Sequence, residues 1–156
     1  MSHQDVYVWS RDLYLIRAIG QLRPLIAQRG LPLPKRIAVQ AAAILPRADG
    51  ATVLGECWPS RCGGGVPRIV INEAVTDPAV ILATLVHELV HAGDDCRDGH
   101  GPWFQSWAAA VGLVGHPSTT ATPSLARRLQ PIERSLGRYP SKSEGYIVSQ
   151  GRLLVG

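Results

Sequence analysis

Cysteine is scarce in this chain. Cys57, Cys62 and Cys96 are an odd number at no framework spacing, so disulfides are not expected to hold the fold, and reduced thiols point to a cytoplasmic setting. Long apolar runs are missing too: nowhere do eighteen apolar residues follow one another, and no membrane span is expected. The first twenty residues carry Asp5, Arg11, Asp12 and Arg17 without an unbroken apolar stretch, so no secretory leader is expected. Charged residues are only 18% against 46% hydrophobic, and the 16 Gly and 12 Pro are spread rather than clustered, which excludes disordered and fibrous classes. What remains is one globular domain, since 156 residues bury roughly 70% of their unfolded surface around a single core.

The positive charge has one address. Residues 123–156 hold Arg127, Arg128, Arg134, Arg138, Lys142 and Arg152 against Glu133 and Glu144, which accounts for the whole net charge of +4. Arginine suits bidentate phosphate contact, so this segment is the candidate DNA-contacting surface; a solvated helix face is the plainer alternative.

Periodicity predicts four helices. Leu13, Ile16, Leu22, Leu25 and Ile26 recur at helical spacing over Asp12 to Arg29, with Pro24 expected to bend or divide the segment. Asp77 before Pro78 is a cap-and-proline start for a helix to about Ala92, with Gly93 expected in a left-handed terminating conformation. Gly101-Pro102 repeats that start for a helix ending near Gly112, and a fourth, Arg-rich helix spans Ser124 to Leu136. Between the first two helices, Arg36–Leu45, Thr52–Trp58 and Val66–Asn72 read as three short strands, expected as an antiparallel meander. Beyond Gly137 no element is predicted.

The helix from Val80 to Ala92 is apolar on nearly every side, yet it contains His87, Glu88 and His91. Three buried polar groups need partners, at about 1 to 3 kcal/mol each if left without them. A metal ion satisfies them together. His87 and His91 are four apart and share a helix face, while Glu88 sits about 100° round the axis, able to approach the open side of the ion. This is the His-Glu-x-x-His arrangement, with two neutral imidazoles as ligands and a carboxylate that takes a proton from metal-bound water.

A catalytic zinc usually has three protein ligands and an open position. The residue six after His91 is Arg97, and no Glu lies between Glu88 and Glu133, so two common third-ligand patterns are absent. The candidates are His100, Asp94, Asp95, Asp98, Cys96 and the more remote His116. His100 is the preferred one, because Gly99 and Gly101 flank it and the preceding loop is long enough to turn the chain back. Asp98 or Asp95 is the next candidate, as ligand or as an acceptor orienting an imidazole.

The run His87-Glu88-Leu89-Val90-His91 followed by Asp98-Gly99-His100-Gly101-Pro102-Trp103-Phe104 resembles the SprT-like, Spartan-related zinc metallopeptidases, whose pattern is His-Glu-x-x-His, a loop, then His-Gly-x-x-Phe. Gly55-Glu56-Cys57-Trp58 and Ile69-Val70-Ile71-Asn72 resemble the strands that precede the active-site helix in bacterial and phage-encoded members. The similarity covers roughly residues 10–140. It implies an α+β, zincin-like domain over residues 1–140 with a tail over 141–156: an N-terminal helix, a three-stranded antiparallel sheet, a buried metal helix and C-terminal helices. It also implies one zinc ion on His87, His91 and His100, with Glu88 as general base of an endopeptidase; in Spartan-type relatives the substrates are proteins crosslinked to DNA. Two departures stand out. The eight-residue loop between His91 and His100 is shorter than in the Spartan branch, and no cysteine follows Cys96 to build a zinc ribbon.

The oxyanion donor is open among Arg138, Tyr139, Tyr146, a backbone group and the metal itself. Trp58, Trp103 and Trp107 are expected mainly in the core, with the cleft wall as the alternative. Cys57 and Cys62 read as small buried or half-buried thiols, with a redox or metal role as the alternative. Val66–Asn72 is the expected exposed edge for an extended peptide. The rival function is a nucleic-acid-associated or phage accessory module that keeps the metal for structure. Retention of Glu88 and the lack of an evident fourth ligand favour the enzyme.

Overall fold

The computed structural model describes residues 6–7, 10–143, 146–149 and 152–155, the last two segments and 6–7 as backbone strands. The described residues form a mixed α+β fold with four α-helices, α1 (Arg11–Ala27), α2 (Pro78–Gly93), α3 (Pro102–Val111) and α4 (Pro123–Leu136). A three-stranded sheet is built from β2 (Ala38–Ala42), β3 (Gly55–Trp58) and β4 (Arg68–Asn72). Two small sheets accompany it. β5 (Leu113–Val114) pairs with β6 (Thr120–Ala121), and β7 (Tyr146–Ser149) lies between β1 (Val6–Tyr7) and β8 (Arg152–Val155).

The central sheet is not an antiparallel meander. Its order is β2-β4-β3, with β2 parallel to β4 and β3 antiparallel to β4. The reason lies in β4, where Ile69, Val70, Ile71 and Asn72 are all buried, whereas β2 is half-buried throughout. A strand apolar at consecutive positions needs cover on both faces and takes the middle. Val66–Asn72 is therefore no edge. The edge strands are β2, where the Ala41 N–H donates to the Asp12 carboxylate at 2.9 Å, and β3.

Helix α1 runs through Pro24 as one element, so of the two expectations, one bent helix or two short ones, the division does not occur. Pro24 leaves the carbonyl of exposed Gly20 without its helical donor, on a face where water can serve it. At the other end Ser10 accepts the Leu13 N–H, and one face of the helix buries Tyr14, Leu15, Ala18, Leu22 and Ile26. Helix α4 buries Leu125, Leu129, Ile132 and Leu136 at helical spacing and leaves its Arg-rich face outside. Both pack on α2, whose Ile81, Leu82, Leu85, Val86, Leu89 and Val90 are inaccessible to solvent. Each such side chain is worth about 1.5 to 3 kcal/mol.

The end of α2 departs from expectation. Gly93 is helical, and the left-handed residues are Asp95 and Cys96, with φ of 57° and 61°. Space is tight at Gly93: an added Cβ would stand 3.0 Å from the side chains of Leu31 and Trp103, which would have to give way by a few tenths of an ångström. The tail also differs, since residues 146–149 and 152–155 form strands that no local pattern announces. The side chains of Tyr146 and Arg152, and residue Glu144, lie outside the described residues. Among the described residues, no helix is long and apolar enough to cross a membrane.

Candidate metal centre

Helix α2 carries two of the site's imidazoles and α3 the wall behind them. Asp77 caps α2 by accepting the Ala79 N–H at 3.0 Å, with Pro78 at the first turn. The helix is long enough to carry His87 and His91 to its last two turns, between β3 and α3. The loop 94–101 then turns back. The Cys96 N–H donates to the His91 carbonyl at 2.8 Å, closing the helix end, and the Asp94 carboxylate accepts from the N–H groups of Arg97 and Asp98. Gly101 offers no side chain to cap α3, and the Asp98 carboxylate does so instead, accepting the Phe104 N–H at 3.1 Å.

These turns bring His87, His91 and His100 together. The three Nε2 atoms form a triangle with sides of 3.2, 3.2 and 3.2 Å, close enough to bind one metal ion. Phe104, buried at 1% exposure, touches all three rings: it stacks on His91 with centroids 4.2 Å apart and meets His87 and His100 at 4.8 and 4.9 Å. The Thr119 hydroxyl lies 2.8 Å from His87 Nδ1, which leaves Nε2 to face its two neighbours. Burial lowers the His87 pKa to about 4, helped by His100, and that of His91 to about 3, helped by His87 and His100. Three imidazoles held towards the neutral form thus turn their Nε2 atoms to one point, an arrangement that one divalent ion can satisfy.

Glu88 is 4% exposed, between α2 and the start of β3. Burial raises its pKa to about 8, with Cys96 and Glu56 adding to the effect. The carboxyl borders two cavities, of 410 Å³ and 290 Å³, which meet at Gly55, His87, Glu88 and His100. The larger is walled by β3 and the loop after α2, including exposed Trp58; the smaller reaches Arg47, Leu54 and Thr119.

The other candidate ligands are committed elsewhere. Asp95 accepts from the Ser60 N–H at 2.7 Å and its hydroxyl at 2.6 Å, Asp98 caps α3, and the Cys96 sulfur lies 3.0 Å from that of Cys57. His116 lies 2.9 Å from the His100 carbonyl and 3.2 Å from Gln105, its ring edge-on to that of His100 at 6.2 Å between centroids, and it stands outside the group of three. Among the described residues, His87, His91 and His100 make the group that could hold a metal. Tyr139 is buried against Tyr14 and under the Arg11 guanidinium, and neither it nor Arg138 lines the two cavities. Trp103 and Trp107 pack on the core. Cys57 is half-buried, whereas Cys62 is exposed, contrary to the paired reading of the two.

Three contributors were not singled out from the sequence for what they do here. Phe104 and Gly55 enter the sequence reading only as positions of the family pattern, without the contacts they make here, and Thr119 belongs to no motif. No protein-family model, curated protein or solved structure matches the chain. The functional reading rests on these residues and their geometry.

Proposed function

We propose that this protein is a zinc-dependent endopeptidase of the SprT-like kind, with His87, His91 and His100 as ligands and Glu88 as general base. The observation that carries the reading is the imidazole triangle beside a buried carboxyl at a cleft. Ligand nitrogens about 2.0 to 2.1 Å from a tetrahedral zinc lie about 3.3 to 3.4 Å apart, and the 3.2 Å sides approach that spacing. Zinc, when bound, supplies Lewis acidity and lowers the pKa of coordinated water towards neutrality.

The chain's own groups do the rest. Glu88 takes the proton of the attacking water and delivers it to the amide nitrogen as the C–N bond breaks. Thr119 keeps His87 in the tautomer whose Nε2 lone pair is free. Edge strand β3, beside Glu88 along the larger cavity, offers backbone groups to an extended peptide, taking the role expected of Val66–Asn72. Exposed Arg127 and Arg134 of α4 are seven apart and share a helix face. This face is the proposed DNA contact, which would direct cleavage to DNA-associated proteins.

The test is Glu88→Gln. Zinc measured by elemental analysis should remain near one ion per chain, while cleavage of an unfolded protein substrate falls by at least a hundredfold. Unchanged cleavage would refute the assignment. Zinc retained by a protein that cleaves nothing in either form would instead support the module with a structural metal.

A further inference from the structure

Beside the imidazoles, but outside their group, stands a pair of sulfurs. Cys57 lies on β3 and Cys96 in the loop that leads from α2 to His100, 39 positions apart, with their Sγ atoms 3.0 Å from each other. That is about 1 Å longer than a disulfide bond. We propose that Cys57 and Cys96 form a reversible disulfide that clasps the His100 loop to edge strand β3. The inference is independent of the peptidase reading.

Three observations support it. Cys96 adopts a left-handed conformation, φ 61°, where glycine would cost less, and what a cysteine adds there is a sulfur against Cys57. The loop is already docked in register, because the Asp95 carboxylate accepts two hydrogen bonds from Ser60, two residues beyond the end of β3. Closing the remaining gap therefore asks little of the backbone. Third, both thiols are half-buried at the wall of the 410 Å³ cavity and neither sulfur joins the histidine group, so the metal site leaves them uncommitted. Cys62 is exposed.

The chemistry is thiol–disulfide exchange with a small-molecule disulfide such as glutathione disulfide. One protein thiolate attacks the reagent, forming a mixed disulfide and releasing one thiol. The second thiolate then attacks the protein-bound sulfur and releases the other, so two protein thiols are oxidised, one reagent disulfide is reduced, and two protons pass to the departing thiolates. A reducing compartment keeps the pair open.

The test treats the full chain with glutathione disulfide and then alkylates. The expected product has one alkylatable thiol, Cys62, and a mass lower by two hydrogen atoms, with a peptide map linking Cys57 to Cys96. Its unfolding midpoint rises by roughly 5 to 10 °C and returns on reduction. Cys62→Ser should give the same link. In Cys62→Ser, a glutathione adduct retained on Cys57 or Cys96, a dimer crosslinked through either, or two thiols still open to alkylation would overturn the proposal, as would a Cys57–Cys62 bond in the unsubstituted chain. So would the expected bond formed without any change in midpoint.

Discussion

Gly55 stands so close to Glu88 that a Cβ built on it would lie 3.2 Å from the carboxylate Oε1 and 2.8 Å from Thr84 Cγ2. The absence of a side chain on the first residue of β3 is what lets the strand approach the carboxyl. Gly55→Ala should therefore push β3 away from α2 or turn Glu88 aside. We expect a loss of about 1 to 3 kcal/mol in stability, read by urea unfolding, since overpacking a filled interior costs that much. Cleavage should fall more than the folded fraction does. Wild-type stability and activity in this variant would show that the gap is not needed.

Thr119 is the partner of His87 Nδ1 at 2.8 Å. Thr119→Val keeps the shape and removes the acceptor, leaving a half-buried ring N–H without its partner. Zinc affinity, measured by competition with a chromophoric chelator, should weaken about tenfold, as is common when a group that orients a ligand is lost. An unaltered affinity would mean that Phe104 packing alone orients the ring.

Proton linkage makes a two-sided prediction for the metal-free protein. His87 and His91 have folded pKa values of about 4 and about 3, below the ordinary 6.5, so the unfolded chain binds more protons in that interval and stability drops as pH falls from 6.5 towards 4. Glu88 is shifted the other way, from 4.5 to about 8, so the folded chain holds the extra proton and stability drops as pH rises from 4.5 through 8. Thermal unfolding in a chelating buffer should show both limbs. Glu88→Gln should remove the alkaline one and leave the acid one, and an alkaline limb that survives the substitution would assign it to another group.

The DNA contact separates by charge. Arg127→Glu with Arg134→Glu should lower affinity for single-stranded DNA by at least tenfold at low salt and make the dependence on salt shallower, because fewer counterions are released. Lys142 and Arg128 are poorer targets, since they are already engaged with Glu73 at 2.8 Å and Gln28 at 3.2 Å. Binding that ignores both the substitutions and salt would remove DNA from the proposal.

Local chemistry explains what could be read in advance. Asp77-Pro78 marks a helix start wherever it occurs, and four-residue spacing stacks His87 over His91 on any α-helix. The gathering of His100 followed from loop length and flanking glycines, which is weaker ground. The parallel pairing of β2 with β4 was not legible, because strand order depends on which strand finds cover on both faces. Nor were the contacts of Gly55 with Glu88, Thr119 with His87, or Cys96 with Cys57, each of which joins segments distant along the chain.

By itself the sequence determined the helical spacing of two imidazoles and a carboxyl, the apolar stripes that bury α2, and the basic face of α4. These are properties of period and composition, carried by neighbours within a few residues. Only the tertiary structure decided which strand forms the open edge, which groups dock against the histidines, and which thiols meet. Those relationships come from packing, where the energy of excluding water from a shared interior sets the partners and no short stretch of chain contains both members of a pair.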